Sequence, residues 1–377
     1  MSAKPRQKPP FRAEIVGSLL RPTRLLDARE QQRHGTLTPE QVWDIEEQCI
    51  DEAVALQSET GLHVCTDGDF HRRHWMLDFV EKIEGLRLKG GLPIKFHNES
   101  GDIEFSPPRF EIFDRLDHKR DISVDDFRVL KPKAEARDLI PKQTMPSPMC
   151  IHFRGGRAAI DANVYPDIEK FFADLTAVYR KEIAELYAAG CRYVQIDDTN
   201  LPYLCDPNLT AQAAQRGEDP AALPARYVQL MNDVLRRKPD DLTVGIHMCR
   251  GNHASSWVAE GGYDPVAEIV FGEMNVDGFF LEYDTPRAGT FEPLRFLTKG
   301  KTAILGLVTT KKPQLESKDE LKRGIDEASR FAPLDQLALS PQCGFASTIE
   351  GNRVTADDQK RKLRLVVETA HDVWGSA

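Results

Sequence analysis

The run VGIHMCRGNH at residues 244–253 puts His247 and Cys249 two positions apart at the end of an apolar segment. Imidazole and thiolate both suit a borderline-soft metal such as zinc, but one such pair arises by chance in many chains. Four other short runs carry groups of compatible chemistry. Glu282 and Asp284 lie in FFLEYD, Cys343 in SPQCGF, Asp67 and Asp69 in TDGDF, and Asp197 and Asp198 in QIDD. His247, Cys249, Glu282 and Cys343 together offer an imidazole, two thiolates and a carboxylate, which is a zinc set if the fold brings them to one place. Each also has an ordinary reading: Cys343 as core, Glu282 as the partner of an arginine, QIDD as a helix cap.

The elements that must position these groups alternate along nearly the whole chain. Short apolar runs read as strands: AEIVGS from 13, HVCTDG from 63, PMCIHF from 148, CRYVQID from 191, TVGIHMC from 243, GFFLEYD from 278, TAILGLV from 302 and QLALSPQCG from 336. Amphipathic segments separate them. One runs from Asp167 to Ala189 with Ile168, Phe171, Phe172, Leu175, Val178, Ile183 and Leu186 on one stripe and Gly190 as its stop. Another opens at Thr38, with Pro39 in its first turn and Gln41 at capping-box spacing, and ends by Gly61.

An α/β alternation repeated about eight times predicts a (β/α)8 TIM barrel. An open doubly wound sheet is the runner-up, but the first strand is followed by no glycine-rich phosphate loop. Residues 86–146 break the alternation and read as an inserted, extended hairpin excursion after the second strand. No linker or repeat divides the chain, so 1–377 reads as a single domain, with 1–10 as a short mobile arm. In such a barrel the chemistry gathers at the C-terminal strand ends, where all the groups named above fall.

Composition bounds the rest. The chain has 377 residues, is 41 % hydrophobic and 29 % charged, and can bury a sizeable core. Its formal charge of −9 argues against a nucleic-acid partner. No run approaches the ~18 apolar residues of a membrane span, and the N-terminus lacks the apolar core of a signal peptide. The expectation is a cytoplasmic protein whose seven scattered cysteines are thiols, with an oligomer left open. Cys49, Cys65, Cys150, Cys191 and Cys205 read as structural.

GIHMC, FFLEYD and SPQCGF, in that order, resemble the catalytic barrel of cobalamin-independent methionine synthases, where an HxC pair, a glutamate and a late cysteine hold zinc. IVGS at 15–18, DGDF at 67–70 and YVQIDD at 193–198 resemble the segments that line that family's homocysteine pocket. The resemblance spans essentially the whole chain and points to the short, single-barrel branch. It implies zinc on His247, Cys249, Glu282 and Cys343, Gly17 and Ser18 at the acceptor carboxylate, and Asp69 and Asp197 at its ammonium. Asp69 and Asp198 stand where the family more often has glutamate. The run HRRHWMLDF adds His71, His74 and Trp75 as candidate pocket residues, with a solvated helix start as the ordinary alternative.

The implied activity is methyl transfer to the thiol of homocysteine or a similar small thiol. Alternatives are a zinc-dependent thiol transferase acting on an epoxide or other electrophile, a metal-free decarboxylase of the same superfamily, and a non-enzymatic zinc-binding protein. The partners are a small thiol acceptor and a methyl donor. In folate-using members a histidine in the loop after strand seven protonates the leaving nitrogen, whereas this chain has GLVTTKKPQLES there, with Lys311 near that position. Lysine, with a pKa of about 10.4, is a weaker acid. The expectation is poor turnover with methyltetrahydrofolate and better turnover with a methylated corrinoid, including one on a corrinoid protein, or a sulfonium. His71 or His74 is the alternative source of the proton.

Overall fold

The computed structural model describes residues 8–91, 94–98, 101–106 and 108–377. Strands Gln143–Pro146, Tyr193–Asp198, Thr243–Met248, Gly278–Glu282, Thr302–Val308 and Leu337–Pro341 form one parallel sheet in chain order. Every residue of the third, fourth and sixth of these is buried, as expected of parallel strands covered on both faces. Val64–Cys65 pairs in parallel with Ile140–Pro141, just upstream of Gln143–Pro146, so one strand serves two neighbours. The first apolar run closes the ring: Ala13 bridges Leu339, the Glu14 amide donates to the Leu339 carbonyl at 2.9 Å, and the Leu19 amide donates to the Gly68 carbonyl at 3.0 Å. Eight parallel positions result, as the alternation predicts, although the first contributes a bridge rather than a full ladder.

The outer helices follow their sequence signals. Thr38 caps Pro39–Glu59 by a reciprocal box, its hydroxyl accepting the Gln41 amide at 3.3 Å while Gln41 accepts the Thr38 amide at 2.9 Å. Asp167 caps Ile168–Ala188, and Gly190 turns the chain out with φ of 101°.

Three boundaries differ from expectation. PMCIHF is not a strand: Met149–Phe153 is a short helix, and the barrel strand lies just upstream at Gln143–Pro146. Pro146 and Pro148 have no amide to donate, so the ladder stops with the Ser147 amide on the Asp197 carbonyl at 2.8 Å. The excursion is also shorter than 86–146. It consists of two antiparallel pairs, Glu84–Gly91 with Pro108–Asp117 and Ile94–Asn98 with Gly101–Phe105. Beyond it Val124–Glu135 is a helix burying Val124, Phe127, Leu130 and Ala134, a spacing masked in the sequence by Pro132 within its last turn. Finally, Pro9 and Pro10 are buried, the Pro9 carbonyl accepting from the Thr243 hydroxyl at 3.5 Å, so the proposed arm is packed there. Its residues 1–7 lie outside the described residues. Among the described residues, no helix is long and apolar enough to cross a membrane.

A buried ion pair ties the barrel interior together. Lys142 Nζ lies 3.5 Å from Glu14, donates to Gln195 at 2.8 Å and to the Ile15 carbonyl, and sits 4.5 Å from the centre of the Phe280 ring across the barrel. Removing one partner strands the other charge in the core. Lys142→Met is therefore expected to cost about 3–5 kcal/mol in urea unfolding, with Glu14→Gln/Lys142→Met recovering much of it. Equal losses in the single and double variants would show that packing, not charge, dominates.

Candidate metal centre

His247 and Cys249 stand two apart at the end of the Thr243–Met248 strand, so strand alternation turns them to one side. Glu282 closes the neighbouring Gly278–Glu282 strand, and Cys343 follows Leu337–Pro341. The turn that carries Cys343 must press against the first strand's end: a Cβ on Gly344 would lie 1.9 Å from Ser18 Oγ. The four side chains are buried and their ligand atoms all lie within 4.8 Å of one another. Cys249 and Cys343 sulfurs are 3.5 Å apart. Among the described residues neither ring nitrogen of His247 finds a partner in hydrogen-bonding geometry, although the Cys343 sulfur is near enough to act on the ring electrostatically. A buried imidazole with both nitrogens open, beside two sulfurs and a carboxylate, fits zinc.

The charges in this cluster are mutually dependent. The hydrogen bond to Cys249, then the nearby His247 ring, holds Cys343 well below the ordinary thiol range, and the same thiol–thiol hydrogen bond together with burial pushes Cys249 well above it. Burial opposes charge on His247, but Cys343 and the nearby carboxylates lift it above its usual value. Burial raises Glu282 while the Lys311 ammonium opposes the shift. Glu282 is oriented from outside the cluster. One oxygen accepts the Arg250 amide at 3.1 Å, the other lies 3.3 Å from Arg287, and Tyr263 accepts the Glu282 amide at 2.9 Å.

A pocket opens directly over the cluster, lined by His247, Cys249 and Cys343 and by Gly17, Ser18, Asp69, His74, Trp75, Asp197 and Asp198. The two aspartates of QIDD have different surroundings. Asp197 accepts from Gln195 at 2.7 Å, and burial pushes its carboxyl up to about 7. Asp198 has both oxygens occupied: Oδ1 by Ser147 and Asn200 at 2.7 and 2.6 Å, Oδ2 by the Leu201 amide at 2.8 Å. It clamps the following turn. Asp69 sits in the left-handed region with φ of 61°, its amide bonded to Asp67 at 2.9 Å, a conformation aspartate tolerates. Its carboxylate is shared with Arg72 at 3.4 Å and the Thr144 hydroxyl at 3.0 Å. Ser18 Oγ accepts the Ala346 amide at 3.2 Å, leaving the hydroxyl proton to donate.

His71 does not join this pocket. Its Nδ1 is 3.0 Å from Glu46 and its ring stacks 4.3 Å from Trp43, turned toward the Pro39–Glu59 helix. His74 does line the pocket, but burial drives its pKa down to about 3, so the ring is neutral at physiological pH and is no acid. Lys311 Nζ is buried without a hydrogen-bond partner and lines a separate cavity with Arg287. The sequence reading passed over Arg154, Tyr203, Ile94 and Phe96, all of which line the pocket. Arg154 directly follows a run that reads as strand, Ile94 and Phe96 fall in the irregular excursion, and Tyr203 sits in a four-residue helix with no motif around it.

Comparison with known proteins agrees with this geometry. Residues 153–372 match the family described as the catalytic domain of cobalamin-independent synthase. The uncharacterised Bacillus subtilis protein YxjH is 43 % identical over 98 % of this chain and 96 % of its own length. Methionine synthase of Pyrococcus abyssi is 26 % identical over 88 % of this chain and 85 % of its own. A Listeria monocytogenes structure assigned as a vitamin-B12 independent methionine synthase is 36 % identical, with TM-score 0.77 over 98 % of this chain and all of that one (100 %). The barrel, its strand-end cluster and these similarities have one reading: the chain belongs to the cobalamin-independent methionine synthase family.

Proposed function

We propose that this protein transfers a methyl group to the thiol of homocysteine or a closely similar amino thiol, with zinc held by His247, Cys249, Glu282 and Cys343. The observation that carries the reading is the convergence of these four buried donors beside a pocket that His247, Cys249 and Cys343 line together with Asp197. Zinc in that position would keep a substrate thiol as its thiolate, the nucleophilic form. The chain's own groups do the rest. The Asp197 carboxylate takes the substrate ammonium, with Asp69 as a second, partly committed acceptor. Ser18 donates its hydroxyl proton to the substrate carboxylate, and Gly17 keeps that wall close, since a Cβ there would meet Thr144 at 2.9 Å. Trp75, Ile94 and Phe96 cover the pocket and exclude water. The family is cobalamin-independent by description, so a corrinoid or corrinoid protein as donor has no support.

Cys249→Ser and Cys343→Ser are each expected to lose most bound zinc by elemental analysis, and nearly all methyl transfer, with circular dichroism unchanged. Full zinc content in either would remove that residue from the ligand set. The Asp197→Asn variant should keep its zinc, yet its KM for an amino thiol should rise about ten-fold or more, because a neutral amide no longer balances the ammonium. A simple alkyl thiol should be turned over almost as before; equal losses for both acceptors count against this role. Product mass separates methyl transfer from epoxide opening.

His74 adds a pH effect on stability. Its folded pKa of about 3 lies below the ordinary value of 6.5, so the unfolded chain binds more protons between the two. Its contribution therefore lowers stability as pH falls from 6.5 toward 3, by up to about 1.4 kcal/mol per pH unit. His74→Gln should flatten that acid slope in urea titrations while leaving the shape of the pH–rate profile between pH 6 and 9 unchanged.

A further inference from the structure

The pocket above the metal-ligand cluster holds one cation that the protein leaves unmatched. Among the described residues the Arg154 side chain forms no ion pair and no hydrogen bond, and its Nε is buried. Burying part of a guanidinium without a partner is costly, so an anion from outside the chain is the natural complement. Arg154 stands at a junction. Together with Ile94 and Tyr203 it lines both the inner pocket, of about 60 Å³, and a wider groove of about 700 Å³ that leads outward between the excursion and the Pro207–Gln215 helix. The acidic groups of that groove are committed elsewhere. Asp206 accepts the Asn208 and Glu260 amides at 2.8 and 3.0 Å, and Glu104 is the cross-strand neighbour of Lys95.

The same inner pocket carries Trp75, Phe96 and Tyr203. Aromatic faces around a small cavity suit a methylated onium group, whose cation is attracted by the ring quadrupole. One small chamber thus offers a guanidinium for an anion and aromatic rings for a cation. Its size matters. In a folate the carboxylates lie beyond the aminobenzoyl spacer, too far from the methyl group for both to occupy this chamber, whereas a compact zwitterion spans it.

We propose that the methyl donor is a small sulfonium carrying a carboxylate, with the carboxylate on Arg154 and the methylated sulfur against Trp75, Phe96 and Tyr203. This rests on the methyl-transfer reading above and names its second substrate. The chemistry balances without a proton donor. The bond between the methyl carbon and the sulfonium sulfur breaks, and its electron pair stays on that sulfur, which leaves as a neutral sulfide. The acceptor sulfur, having lost its proton to solvent, forms the new carbon–sulfur bond. A pocket whose His74 is neutral and from which His71 is turned away accords with a donor whose leaving group needs no protonation.

Calorimetric binding of three probes tests it: dimethylsulfoniopropionate, trimethylsulfonium without the carboxylate, and 4-methylpentanoate, which keeps the carboxylate and lacks the positive charge. Dimethylsulfoniopropionate should bind the wild-type protein most tightly. Arg154→Met should weaken it by about 30-fold while leaving trimethylsulfonium unchanged, and Arg154→Lys should recover part of the loss. Trp75→Ala should weaken dimethylsulfoniopropionate more than 4-methylpentanoate. Absence of dimethylsulfoniopropionate binding, equal affinity for all three probes, or unchanged affinity in Arg154→Met would overturn the proposal. Arg154-dependent binding with no methylated thiol formed by zinc-loaded protein would uphold the donor pocket and count instead against the methyl-transfer reading.

Discussion

Four ligand-type side chains crowd within 4.8 Å of one another in the interior, and among the described residues the two ring nitrogens of His247 find no hydrogen-bond partner. Two sulfurs share one hydrogen bond, an imidazole has both nitrogens open, and a carboxylate sits beside them with a raised pKa. Such a group of donors is unfavourable by itself, since each loses water and the imidazole gains no hydrogen-bond partner in return. It persists because the surrounding elements are fixed for other reasons. The ladder sets where His247 and Glu282 emerge, and the Cys249 amide is held on the Asp198 carbonyl at 2.7 Å. Asn252 ties the loop after Cys249 to the turn after Cys343 through the Gly344 carbonyl at 3.0 Å. The barrel's rigidity thus holds the donors in readiness rather than letting them collapse onto water or each other.

The same ladder explains why adjacent aspartates have different environments. Asp197 is the register partner of His247 and Asp198 of Met248. With side chains alternating along a strand, Asp197 shares the face of His247 and Asp198 takes the other. Asp198 then meets Ser147 and Asn200 and spends its lone pairs on the turn, whereas Asp197 keeps capacity in the pocket. Two carboxylates one residue apart are therefore not interchangeable.

Much of this was legible before any coordinates. Buried parallel strands are continuous apolar runs, so seven of eight strand positions could be read directly, and the chemistry-bearing residues fell at their ends. What failed has local causes. PMCIHF is apolar enough for a strand but is flanked by prolines that end the ladder, and five residues are too few for helical periodicity to declare itself. The helix at Val124–Glu135 was obscured by Pro132. His71 and His74 differ by three residues, and only the packing of Trp43 and Glu46 decides that one turns outward. Arg154 carries no motif at all. Its significance lies in partners it does not have, which no sequence displays.

The excursion is more than a cover. Its Ile94–Asn98 strand is paired through backbone to Trp257, with His97 donating at 2.6 Å and accepting at 2.9 Å, and Asn98 donates to Ser256 at 2.8 Å. Trp257 in turn lies 5.0 Å from the Arg287 guanidinium, and Arg287 reaches Glu282 and Asp284. The hairpin that walls the pocket is thereby connected, through one tryptophan and one arginine, to the Glu282 carboxylate. Seating of the hairpin and orientation of Glu282 therefore share one chain of contacts. The loop after Cys249 carries both ends of that chain, because Trp257 pairs with the hairpin while the Arg250 amide holds Glu282.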